Sequence, residues 1–201
     1  AIYVRQADKV FITLAEGSEN SLTVSGDFVQ TDDNNVDGAI FSKDDITING
    51  TGSLIVTDNY GHGIVSKDDL KITGGTITVT ASEHALSGKD SVRIAGGAIT
   101  LTAGEDGIHS NNTEDEGKGY VTIAGGTLTI TAGDDGIHTS GALTITGGTI
   151  DVLKSYEGLE GLTIDISGGT ISVVSSDDGL NAAGGNDSSG WGNGFKDEFS
   201  A

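Results

Sequence analysis

The chain has 201 residues, 33 of them glycine, no cysteine, and a formal net charge of −20. Disulfide and thiol chemistry are excluded, and so is nucleic acid as a partner, because phosphate binding needs basic patches. No apolar run is long enough for membrane insertion; no signal peptide is visible, and Ala1 is compatible with the removal of one.

Residues 1–38 read as an atypical N-terminal coil or cap. Val10 to Leu14 and Leu22 to Val24 alternate like short strands, and Phe28 and Val29 are placed to cover an open end of core. From residue 39 to 183 the text repeats. Ala39 to Asp45 (AIFSKDD) matches Gly63 to Asp69 (GIVSKDD) one unit later. Glycine pairs then end at Gly75, Gly97, Gly126, Gly148 and Gly169, with steps of 22, 29, 22 and 21 residues. The long step carries an insert, Asn111 to Gly117. A period of this size means one structural unit stacked on copies of itself.

Each unit holds three apolar words. The first is an anchor: Ile64, Leu86, Ile108, Ile137, Leu159, Leu180. The second and third alternate, as in Val92 and Ile94 followed by Ile99 and Leu101. Period-two alternation marks a strand with one buried face. Three very short strands per ~22 residues, with glycine at the sharp corner, predict an all-β, right-handed parallel β-helix of about seven coils. A β-sandwich would not repeat the same words in register. Residues 184–201 are rich in glycine, asparagine and serine, carry the one tryptophan, Trp191, and read as a loop or tail.

The carboxylates are concentrated. Three coils open with the same acidic turn: Glu105-Asp106-Gly107-Ile108-His109, Asp134-Asp135-Gly136-Ile137-His138 and Asp177-Asp178-Gly179-Leu180-Asn181. A softer version, Tyr156-Glu157-Gly158-Leu159-Glu160, lies between the last two. In register, Asp106, Asp135, Glu157 and Asp178 share one column, and Glu105, Asp134 and Asp177 a neighbouring one. Stacked carboxylates ~4.8 Å apart repel unless water or cations intervene. Calcium suits such a place, because it takes six to eight oxygens in irregular cages. The acidic insert, Asp115 included, is expected to help. The alternative is a solvated edge in which Asp-Gly only makes turns.

The histidines form two expected pairs, His62 with His84 and His109 with His138. The second pair stands beside the acidic turns and would also admit zinc or another transition metal; a histidine stack without metal is the simpler reading. Outward threonines such as Thr76, Thr78 and Thr80 form ladders that suit an ice-binding or adhesin solenoid, but the array decays to Asp151 and Leu153. Threonine is in any case a good outward strand residue.

The phrases FSKDDITING, YGHGIVSKDDLKITGGT, EDGIHS, DDGIHT and SDDGLNAAGGND recur in order over roughly residues 10 to 190. They resemble a bacterial family of polysaccharide-lyase-like β-helix proteins that bind plant cell-wall carbohydrate. The resemblance implies an exported, right-handed β-helix that carries calcium and binds cellulose and pectin-type polysaccharide such as polygalacturonate. Calcium liganding carries over onto the acidic turns; the family's motifs do not place a sugar site.

Binding without turnover is the leading reading, at the cell surface or outside the cell. The alternative is a calcium-dependent pectate or polysaccharide lyase, which needs a base beside its calcium. Lys118 and Lys154 lie nearest the acidic turns in sequence and are the base candidates. Lys43, Lys67 and Lys89 are expected to neutralise the adjacent Asp44, Asp45, Asp68, Asp69 and Asp90. A neutral glucan would use aromatic faces, for which Tyr60, Tyr120, Tyr156 and Trp191 are the candidates.

Overall fold

The computed structural model describes residues 1–30 and 32–182. Every strand pairing in it is parallel, and no helix occurs among the described residues. The fold is therefore all-β and solenoidal. Each coil contributes one strand to each of three stacks. The first stack has eight rungs: Ile2–Val4, Gly38–Ser42, His62–Ser66, Leu86–Gly88, Ile108–Ser110, Ile137–Thr139, Leu159–Glu160 and Leu180–Asn181. The second and third stacks share one sheet. In the two long strands Ala142–Ser155 and Thr163–Ser175 the chain keeps strand pairing round the glycine corner.

Register follows the repeated words. Ile40, Ile64, Leu86, Ile108, Ile137 and Leu159 stack in line. So do Leu101, Ile130 and Val152. These side chains are fully buried and form one continuous core. Parallel stacking superimposes identical positions, so a sequence that repeats aliphatic residues builds an aliphatic ladder. The glycine corners have the expected positive φ: Gly75, Gly97, Gly126, Gly148 and Gly169 lie between 95° and 105°, where a Cβ is strained.

The N-terminal part differs from expectation in two details. Ile2–Val4 pairs with Gly38–Ser42 and adds a rung that the sequence pattern did not announce. Phe28 packs on the core, but Val29 is 83% exposed and covers nothing. The segment expected as a tail, with Trp191, lies outside the described residues.

Candidate functional site

The acidic turns lie where each coil enters the first stack. Backbone bonds from turn to turn hold them in line. The amides of Asp134, Tyr156 and Asp177 donate to the carbonyls of Glu105, Asp134 and Tyr156. This makes an outer column of Glu83, Glu105, Asp134, Tyr156 and Asp177. One residue further on is an inner column: His62, His84, Asp106, Asp135, Glu157 and Asp178. A third column, three residues beyond the second, holds Val65, Ser87, His109, His138, Glu160 and Asn181.

The inner column is tied together by its own side chains. The amide of His84 donates to His62 Nδ1 at 3.1 Å, and that of Asp106 to His84 Nδ1 at 3.2 Å. The amide of Asp135 donates to Asp106 Oδ1 at 3.0 Å, and that of Glu157 to Asp135 Oδ1 at 3.2 Å. Four of the inner side chains, His62, His84, Asp106 and Asp135, thus satisfy a backbone donor of the next coil, as buried donors require. Asp106, Asp135, Glu157 and Glu160 are buried. Glu157 accepts both Nδ2 contacts of Asn181, at 3.1 and 2.9 Å.

The three columns enclose a cleft of about 300 Å³ lined by three histidines, six carboxylates and Tyr156, with no lysine or arginine among the described residues that line it. The histidines form one continuous ladder rather than two pairs. Ring centroids are 4.9 Å apart for His62 and His84, 4.0 Å for His84 and His109, and 5.1 Å for His109 and His138. The pairs join because the histidine moves from the inner to the third column between the two coils. His62 and His84 turn Nε2 outward to Glu83 and Glu105, at 2.9 and 3.3 Å.

Burial and charge act in opposite directions along the ladder. Burial, with His84 next to it, holds His62 down at about 3. Burial also keeps His109 below its ordinary value, against the pull of Asp106. For Asp106, burial is outweighed by its contacts with His109 and His84, so its carboxyl stays well below the usual range. Burial likewise disfavours a charged His138, but its contacts with Asp135 and Glu160 prevail and push it up to about 10. Burial raises Asp135 to about 6.

Of the metal ligands expected from the sequence, Glu105, Asp106, Asp134, Asp135 and Glu157 line this cleft. Asp177 and Asp178 stack on the next coil and are exposed. Asp115 is elsewhere. The insert leaves at the far end of the strand Ile108–Ser110, where Asn112 donates to Asp115 at 3.0 Å and to Asp90 at 2.7 Å. Lys118 is drawn to the same corner and bonds Asp90. Lys154 is exposed on the third stack, level with Thr131. Neither lysine is among the cleft residues, so proximity in sequence misplaced both. Lys67 and Lys89 reach Asp37 and Glu114 rather than the aspartates beside them, at 3.4 and 3.2 Å; it is Arg93 that holds Asp69, at 2.8 Å.

Tyr156 lines the cleft. Tyr60 is exposed one turn before His62, and Tyr120 is half-buried beside Ser91 in the second stack. His109 and His138, expected beside the acidic turns, line the cleft, and His84 and Glu160, which the sequence reading did not include among the ligands, join them. The repeated words Asp-Gly-Ile-His were the available signal, but which third residue faces them depends on coil stacking.

Fold and cleft together define a class, a parallel β-solenoid with a polar, acidic cleft on one wall. A family model described as carbohydrate-binding domain-containing protein matches residues 1–191, and the chain belongs to that family. A carbohydrate-binding domain-containing protein of Acetivibrio thermocellus is 49% identical over 82 residues, 40% of this chain; the match spans 29% of that relative's length. The solved structure of a polysaccharide lyase-like protein from C. thermocellum, a gadolinium derivative, is similar with a TM-score of 0.71 and 39% identity. The match covers 90% of this chain and 70% of that one.

Proposed function

We propose that the protein binds an acidic plant cell-wall polysaccharide, polygalacturonate or pectin, outside the cell or at its surface, with calcium as the bridge and without turnover. Cellulose is the second ligand of this reading, taken through Tyr156 and the neighbouring polar groups. The observation that carries the proposal is the stacking of Glu105, Asp106, Asp134, Asp135 and Glu157 round one cleft that, among the described residues, contains no lysine or arginine. Such a wall repels a uronate unless a cation intervenes. Calcium accepts carboxylate oxygens from the protein and keeps positions for those of the sugar. A right-handed winding of about seven coils is part of the same reading, by the general preference for right-handed parallel crossovers. Family membership and the lyase-like neighbour support the carbohydrate class. The lyase alternative is weakened because Lys118 is engaged by Asp90 and Lys154 is not a cleft residue.

The test is retention on insoluble polygalacturonate and on cellulose, in millimolar calcium and in chelator, while absorbance reports any unsaturated product. Calcium-dependent retention on polygalacturonate with no product is expected. Product formation that disappears in Lys118→Ala or Lys154→Ala would replace binding by lyase activity.

A further inference from the structure

We propose that the histidine ladder binds a divalent transition metal of the zinc, cobalt or nickel type at two successive rungs. One rung uses Asp106, His109 and His84; the other uses Asp135, His138 and Glu160. This goes beyond the carbohydrate reading: Asp106 and Asp135 are common to both, but the histidine nitrogens add donors that calcium does not call for.

The local word Asp-Gly-Ile-His supplies two donors of each set. It places a carboxylate of the inner column beside a ring nitrogen of the third column on the same coil. Asp106 Oδ2 lies 2.7 Å from His109 Nδ1, and Asp135 Oδ2 lies 3.3 Å from His138 Nδ1. Stacking supplies the third donor, from opposite directions. His84 Nδ1, from the preceding coil, is 3.2 Å from Asp106 Oδ2. Glu160, from the following coil, bonds His138 Nδ1. In each set the donor atoms all lie within 4.8 Å of one another.

Donors that share one ion with bonds of ~2.0–2.2 Å stand ~3.0–3.5 Å apart, so these groups need only small shifts to close on a metal. His84 must exchange its bond from the Asp106 amide for the metal, a local rotation. The carboxylates of both sets are buried, and among the described residues no lysine or arginine lines the cleft to balance them. Two imidazoles with one carboxylate, or one with two, suit borderline d-block ions rather than calcium, which prefers oxygen alone. The rungs open onto the cleft, which leaves coordination positions for water or a ligand.

The full chain, stripped with chelator and exchanged into calcium-free buffer, is titrated with cobalt(II). Visible bands of nitrogen- and oxygen-bound cobalt are expected, saturating at about two ions per chain. In wild-type protein the ring-proton NMR signals of His109 and His138 should broaden or shift. His109→Gln and His138→Gln should each remove about half of the bands, with circular dichroism confirming the fold. A cobalt spectrum that stays that of the aqua ion would overturn the proposal. So would bands that persist in the double variant, since His109 and His138 would then not be the ligands. Polygalacturonate retention in calcium, measured on the same variants, reports separately on the carbohydrate reading.

Discussion

His84 and His109 stack with ring centroids 4.0 Å apart and planes 9° from parallel, although strand register sets Ser87, not His84, opposite His109. The contact is a diagonal between two columns, and Asp106 sits at its crossing, within 3.2 Å of His84 Nδ1 and 2.7 Å of His109 Nδ1. Asp106 also accepts the amide of Asp135 from the next coil. Asp106→Ala should therefore cost ~1–3 kcal/mol, the range for orphaning a buried donor. Asp106→Asn, which keeps an acceptor oxygen there, should cost less. Urea unfolding of both variants measures the difference.

The aliphatic ladder makes a simpler prediction. Ile130 is fully buried between Leu101 and Val152 of adjacent coils. Ile130→Ala should lose ~2–5 kcal/mol, since a stacked ladder relaxes little round a cavity. Ile130→Asp should unfold the middle coils, because it buries an unpaired charge. Chemical denaturation monitored by circular dichroism checks both.

At the corner, Gly126 has φ of 97°, and an added Cβ would lie 3.0 Å from the carbonyl oxygen of Gly97 one coil earlier. Gly126→Ala should cost ~1–3 kcal/mol through backbone strain, with the close contact adding to it. Gly117, also at positive φ but with no atom near its missing Cβ, should tolerate alanine better. Paired thermal melts of the two variants distinguish crowding from φ alone.

A carboxylate pair on the corner near the insert predicts a pH dependence. A hydrogen bond with Asp90 is the main reason that Asp68 is held up to about 6, with burial second. Burial opposes the charge on Asp90, but hydrogen bonds from Asp68, Lys118 and Asn112 hold it down at about 2. Between the ordinary carboxylate value of 3.8 and about 6 the folded chain keeps a proton on Asp68 that the unfolded chain has lost. The unfolded state then binds fewer protons, so the contribution of Asp68 to stability falls as pH rises through that window. Asp90 has the opposite sign, and its contribution is lost as pH falls below the ordinary value. Asp68→Asn donates to Asp90 at every pH and should lessen the decline between pH 4 and 6, to which Asp135 also contributes, and melting temperatures of variant and wild type across that range will reveal the difference.

For the calcium reading, chelator should lower the melting temperature. An ion that binds only the folded chain stabilises it by ~2.7 kcal/mol at a hundredfold excess over Kd. Identical melting in chelator and in millimolar calcium, with no metal in the purified protein, would leave the acidic turns as turns only.

Much of this molecule was legible in the residues themselves. Aliphatic alternation, a period near 22 and glycine pairs determined parallel coils, the inward columns and the corners, because stacking in register makes position in the repeat equivalent to position in space. By the same equivalence Glu105 falls over Asp134, and Asp106 over Asp135. What registers do not specify is how side chains lean between columns and where an insert goes. The diagonal from His84 to His109, the approach of Glu160 to His138, and the capture of Lys118 by Asp90 were decided by tertiary structure alone. Each joins residues at different positions of the repeat, and side-chain length and the search for a charge partner set those contacts, neither of which is written in the period.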